Sequence, residues 1–142
     1  VRKQNPVKEN ETRLGKPWTY AIRDVLQFTD NINSSLTSFN QTRRTCSVYL
    51  GLSSFPDKTF RLIEYSHKEF NVYDDKNFPY TPKHVQMDNV VFMPVHDGDD
   101  TCFNDLVKAR YGEIDIEWMV NILAASHETG DTQMAAYNFN TK

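Results

Sequence analysis

Between residues 41 and 46 the apolar pattern changes period, and that change constrains the fold more than any other feature of the chain. Upstream, the spacing is helical. Trp18, Ile22, Val25, Leu26 and Thr29 share one face at a period of 3.6, with Pro17 suited to a first helical position. A second short helix follows, capped by Asn31 or Asp30, with Ile32, Leu36 and Phe39 on one side. Downstream, the period is two. Over 45–53, Cys46, Val48, Leu50 and Leu52 alternate with Ser47, Tyr49, Gly51 and Ser53. A turn at Ser54-Phe55-Pro56-Asp57 leads to a strand over 58–66, where Phe60, Leu62 and Glu64 oppose Arg61, Ile63 and Tyr65. A third strand is expected over 69–73. Two amphipathic helices followed by an antiparallel meander need each other, because each has an apolar face to cover.

The rest of the chain continues the α+β reading. Residues 74–84 form a loop broken by Pro79 and Pro82, and the apolar run 90–95 reads as a short strand or extended segment ended by Pro94. A helix is expected from about Asp100 to Tyr111, stopped by Gly112. Another runs from its cap at Asp115 to about Ser126, with Ile116, Met119, Val120, Leu123 and Ala124 as the buried stripe. Thr129-Gly130-Asp131 makes a turn, and 132–139 reads as a final strand. Residues 1–14 form a polar leading arm, and no internal repeat is present.

Composition excludes several classes of function. Aromatic residues make up 13% of the 142, and the formal charge is only −3, so the chain is not intrinsically disordered. It has no apolar run of about 18 residues and hence no transmembrane segment. No block of Lys and Arg offers a surface for nucleic acid.

Candidate chemistry is sparse. His67, His84, His96 and His127 lack metal-ligand spacing and have no cysteine neighbours, so neither a metal nor another cofactor is expected. Asp97-Gly98-Asp99-Asp100 has acidic residues like a calcium loop but no closing glutamate, and reads as a turn that caps the next helix. There is no phosphate-binding glycine loop and no Gly-x-Ser-x-Gly elbow. Cys46 and Cys102 are either two buried thiols or one disulfide. Asn77, next to a proline-fixed turn, is either an ordinary turn residue or an amide donor presented to an oxyanion.

Three glycosylation sequons begin at Asn10, Asn33 and Asn40. Twelve asparagines would give roughly two by chance, so the clustering in the first 42 residues carries the signal for a secreted or lysosomal glycoprotein. No signal-peptide hydrophobic region is present. The expectation is therefore that Val1 follows an internal cut and that sequence lies upstream.

Several segments resemble, in order, the penicillin acyltransferase-like branch of the N-terminal-nucleophile hydrolases, which is related to choloylglycine hydrolase and acid ceramidase. They are Gly15-Lys16-Pro17-Trp18-Thr19-Tyr20-Ala21-Ile22-Arg23-Asp24-Val25-Leu26, then Arg44-Thr45-Cys46-Ser47-Val48-Tyr49-Leu50, then the strand bearing Glu64. Asn77-Phe78-Pro79-Tyr80 is similar to a loop whose asparagine helps form the oxyanion hole. Gly112-Glu113-Ile114-Asp115 and 129–139 look like the late helix and closing strand.

The resemblance implies that residues 15–142 are the C-terminal part of a four-layer αββα sandwich. It implies self-cleavage, an N-terminal cysteine acting as nucleophile with its own amine as base, and a small N-acyl amide as substrate. Since Val1 is no nucleophile and both cysteines are internal, that cysteine would lie upstream or on a partner chain. The chain departs from the pattern at Asp99-Asp100-Thr101-Cys102-Phe103, where relatives carry a functional arginine; Arg110 is too far along to match. The rival expectations are a non-catalytic extracellular binding module using Tyr73, Phe78, Tyr80 and Phe92, and an excised stretch with no function of its own.

Overall fold

The computed structural model describes residues 14–80, 86–91, 101–126 and 138. These divide between two compact units, one holding 14–78 and 87–91, the other 79, 80, 86, 101–126 and 138. The class is α+β: a small three-stranded antiparallel sheet and four helices among the described residues. No described helix is long and apolar enough to cross a membrane.

In the first unit, α1 spans Trp18–Phe28 and α2 spans Ile32–Gln41. Pro17 lies one position earlier than expected, as the residue that caps α1, and its carbonyl accepts from the Tyr20 and Ala21 amides. The buried stripe of α1 is Ala21 and Val25, with Ile22 packed beside it. Leu26, expected inside, is 78% exposed. The helix is turned so that the small Ala21 side chain joins the core cluster with Leu50, Ile63 and Tyr65, and the bulkier leucine is left outside.

The cap of α2 is as expected. The Asn31 side chain accepts from the Ser34 amide at 2.9 Å, and the Ser34 hydroxyl accepts from the Asn31 amide at 3.3 Å, a reciprocal capping box. A third acceptor comes from far along the chain: Asp57 Oδ2 takes the Ile32 amide at 2.8 Å and the Ser54 hydroxyl at 2.7 Å.

Strands β1 (Val48–Ser54), β2 (Thr59–Tyr65) and β3 (Phe70–Tyr73) form the meander, with Leu50 opposite Ile63 and Leu62 opposite Tyr73. β1 begins at Val48 and not at 45, because Cys46 has φ of 38°, in the left-handed region, where an extended run ends. The face with Val48, Leu50, Leu52, Ile63, Tyr65 and Phe70 packs on Ala21, Val25 and Phe39. Tyr65 is fully buried, with Phe39 and Phe70 edge-on at 5.7 and 6.4 Å. Arg44 closes this core: its guanidinium lies 5.2 Å from the Phe70 ring centre, while Nε donates to Ser66 O and Nη1 to Asn40 O.

The opposite face is not bare. Leu62 is 1% exposed, and Tyr73 meets the buried Phe78 edge-on at 5.6 Å. After β3, Asp75 accepts from the Asn89 amide and Lys76 pairs with Asp88, which ties the 87–90 turn to the segment leaving the sheet. Of the apolar run 90–95, Val90 forms an isolated bridge to Met87 and 92–95 lie outside the described residues.

In the second unit, α3 spans Thr101–Ala109 and buries Asn104 and Val107. The chain leaves it through Gly112, whose φ of 88° only glycine adopts easily. Asp115 then caps α4 (Ile116–Trp118) by accepting from the Trp118 amide at 2.7 Å. The expected continuous α-helix does not follow. From Met119 to Ala124 the backbone widens into a π-helical turn, which changes the angular spacing and dissolves the expected stripe. Ala124 is buried, whereas Ile116, Val120 and Ile122 are exposed. The 97–100 turn and the 132–139 strand, apart from Asn138, lie outside the described residues.

Asp57 makes stability depend on acid. Its bonds from the Ile32 amide and the Ser54 hydroxyl hold its carboxyl below the usual carboxylate range. A lowered folded pKa adds stability above the unfolded value, and that stability is lost as pH falls through the folded value. The urea midpoint gap between wild type and Asp57→Asn is therefore expected to be constant from pH 7 to 5. It closes below the ordinary carboxylate pKa of 3.8. A gap that stays open in acid would remove the charged cap.

Candidate functional site

The densest polar grouping on the outer sheet face surrounds Glu64. Period two and the β2–β3 register bring Glu64 opposite Asn71, with Tyr73 next along on the same face. Glu64 Oε2 accepts from Asn71 Nδ2 at 3.0 Å and from the Tyr73 hydroxyl at 3.1 Å, and Tyr49 faces Glu64 from β1. Burial, then the bond to Glu64, pushes the Tyr73 phenol pKa up, so it remains a donor through the physiological range. A carboxylate held by two neutral donors is a fixed acceptor.

Asn77 lies in the turn that leaves β3, and it is exposed. Its Oδ1 accepts from the Asp74 amide at 2.7 Å, and its Nδ2 donates to Val72 O at 3.1 Å. The Asp74 carboxylate in turn accepts from the amides of Lys76 and Asn77. The planar carboxamide is thus pinned at both ends by backbone. It has two amide hydrogens, and the second takes no partner among the described residues. The arrangement serves the turn and also fixes the direction of one remaining N–H.

The other expected residues are dispersed. Asn33 and Asn40 are exposed on α2, while Asn10 lies outside the described residues. Cys46 and Cys102 are free, exposed thiols, neither buried nor joined; the left-handed backbone at Cys46 turns it out of the strand. His67 Nδ1 is 3.1 Å from Arg44 O, and His84, His96 and His127 are outside the described residues. Arg110 pairs with Glu113 at 3.3 Å. Among the described residues, no three His, Cys, Asp or Glu side chains gather as metal ligands.

The Glu64–Asn71–Tyr73 cluster was not legible as a unit, because it depends on the β2–β3 register. The one signal was the placement of an acid and a tyrosine on strands of opposite direction.

The chain is similar to two proteins of Dictyostelium discoideum, dcd1A and dcd1B. Each is 32% identical over 135 residues, covering 90% of this chain. The chain spans less than a third of either relative's length, 30% of dcd1A and 27% of dcd1B. No protein-family model and no solved structure matches it.

Proposed function

We propose that these residues contribute to the catalytic body of a secreted or lysosomal cysteine-type N-terminal-nucleophile amidohydrolase or acyltransferase that cleaves a linear, non-peptide N-acyl amide. In this reading the two-layer helix-and-sheet unit is one half of a four-layer αββα sandwich. The thiolate comes from a cysteine outside these residues, upstream or on a partner chain, and attacks the amide carbonyl with its own α-amine as base.

The observation that carries the reading is the pinned amide of Asn77. Its sequence context resembles the oxyanion-hole loop, and its side chain has one N–H held in a fixed direction with no described partner. A donor oriented before charge develops stabilises a tetrahedral oxyanion without reorganising. Two further points support it. The segments that resemble the family precede or contain α1, β1 and β2 in the expected order. The similar Dictyostelium proteins are more than three times longer than the matched stretch, leaving ample chain for a second sheet layer and a nucleophile.

The test uses the complete gene product and a fluorogenic N-acyl amide. Asn77→Ala is expected to lower kcat by about 10²–10³-fold with KM little changed. Two exposed hydrogen bonds are lost from the turn as well, so stability falls by about 1 kcal/mol. Sequencing the N-termini of the active protein should reveal a chain beginning with cysteine. Wild-type turnover in the variant removes Asn77 from the mechanism, and a binding protein with no turnover and no processed cysteine overturns the whole reading.

A further inference from the structure

Asn33 and Asn40 are seven residues apart on α2, about 10 Å along its axis and within about 20° of each other around it. Both are exposed, on a flank of the helix about 100° round from the buried Ile32 and Phe39. Neither side-chain amide has a hydrogen-bond partner among the described residues. Each begins a sequon, so one helix presents two acceptor amides, unengaged and in line, on one exposed flank.

The hydroxyls of the same sequons behave differently. Ser35 is buried; its hydroxyl donates to Asn31 O at 2.8 Å and lies 2.8 Å from the Thr29 hydroxyl. Thr42 Oγ1 donates to Ser38 O at 2.9 Å. The glycosyl-transferring enzyme requires the hydroxyl at the third sequon position as well as the asparagine. In the folded chain both hydroxyls are engaged in bonds that cap and close α2, and both asparagines are held in or beside helical turns.

We infer that Asn33 and Asn40 are paired N-glycosylation sites that accept sugar only before α2 forms, and that the two oligosaccharides then share one exposed flank of this helix. In the transfer, the Asn Nδ2 attacks C1 of an oligosaccharide linked to a lipid pyrophosphate. The N–C1 bond forms, the C1–O bond to pyrophosphate breaks, the lipid pyrophosphate leaves, and one amide proton passes to a base. Folding afterwards draws Ser35 and Thr42 into the helix while the modified amides remain outside, so the sugars oppose none of the core contacts.

This inference rests on the secretory route proposed above and not on the amidase chemistry, and the two fail separately: one in the mass of attached sugar, the other in turnover. The full chain, preceded by a cleavable secretion signal and carrying Asn10→Gln to silence the remaining sequon, is translated with and without microsomal membranes. Two oligosaccharides removable by peptide N-glycosidase are expected. Asn33→Gln and Asn40→Gln should each remove one, and the double variant both. In a second arm, the purified folded chain is given to detergent-solubilised transferase with lipid-linked oligosaccharide, with and without prior unfolding in urea. At least a tenfold preference for the unfolded chain is expected. Translation with membranes that leaves Asn33 or Asn40 bare overturns the sites. Equal modification of folded and unfolded chain overturns the requirement that transfer precede folding.

Discussion

Tyr65→Ala is expected to lower the unfolding free energy by about 3–5 kcal/mol, the range for removing a large aromatic from a packed core. Tyr65 is the largest fully buried side chain among the described residues, and its ring is the hub of the helix–sheet interface. Phe39 on α2 and Phe70 on β3 meet it edge-on, and the Arg44 guanidinium lies 5.8 Å from its centre. Truncation would leave three elements facing a cavity. Tyr65→Phe should do the reverse of harm. The buried hydroxyl has no hydrogen-bond partner among the described residues, and burial pushes its pKa up. Removing an unsatisfied buried hydroxyl while keeping the ring is expected to be neutral or to stabilise by up to about 1 kcal/mol. Chemical denaturation of both variants checks the pair. A Tyr65→Phe variant as damaged as Tyr65→Ala would show that the oxygen, and not the ring, holds the core.

Gly15→Ala is expected to lower stability by about 2–3 kcal/mol, toward the upper end of overpacking effects, because only backbone stands in the way. A Cβ at Gly15 would lie 2.5 Å from Arg44 O and 2.7 Å from Arg43 O. There the chain entering α1 runs against the strand-like residues after α2, joined by the Lys16 amide donating to Arg43 O at 2.8 Å. Relief requires parting that bridge. Gly112→Ala is the comparison: φ of 88° but open space around the position, so only the backbone preference of about 1 kcal/mol is lost. Equal melting temperatures for the two variants would mean that the 14–16 segment yields freely.

What sequence revealed follows physical range. The Asn31 cap, the turn after β1 and the two periods are set by neighbours within four residues; they are as expected, with the turn at 55–58, one residue beyond the 54–57 read from the sequence. The buried side of α1 is set by the sheet it meets, and large apolar residues drew attention to Leu26 when Ala21 was the contact. Cys46 fits an alternating pattern, and nothing local announces its left-handed backbone. The π-helical turn at 119–124 likewise has no compositional mark. At the candidate site, Asn77 was legible as a turn residue. That its amide binds Val72 O, or that Glu64 takes Tyr73 and Asn71, depends on where β3 aligns against β2.

The carboxylate of Asp57 completes a helix that lies 25 residues earlier in the chain. The local Asn31–Ser34 box leaves the Ile32 amide to be satisfied only when the hairpin between β1 and β2 closes and delivers this acceptor. During synthesis the α2 residues emerge before Asp57, so this bond forms only after the hairpin residues have followed. On the inference drawn above, the interval before that bond forms is also when Asn33 and Ser35 are read, so one distant side chain links the ordering of the helix start to the sealing of its surface.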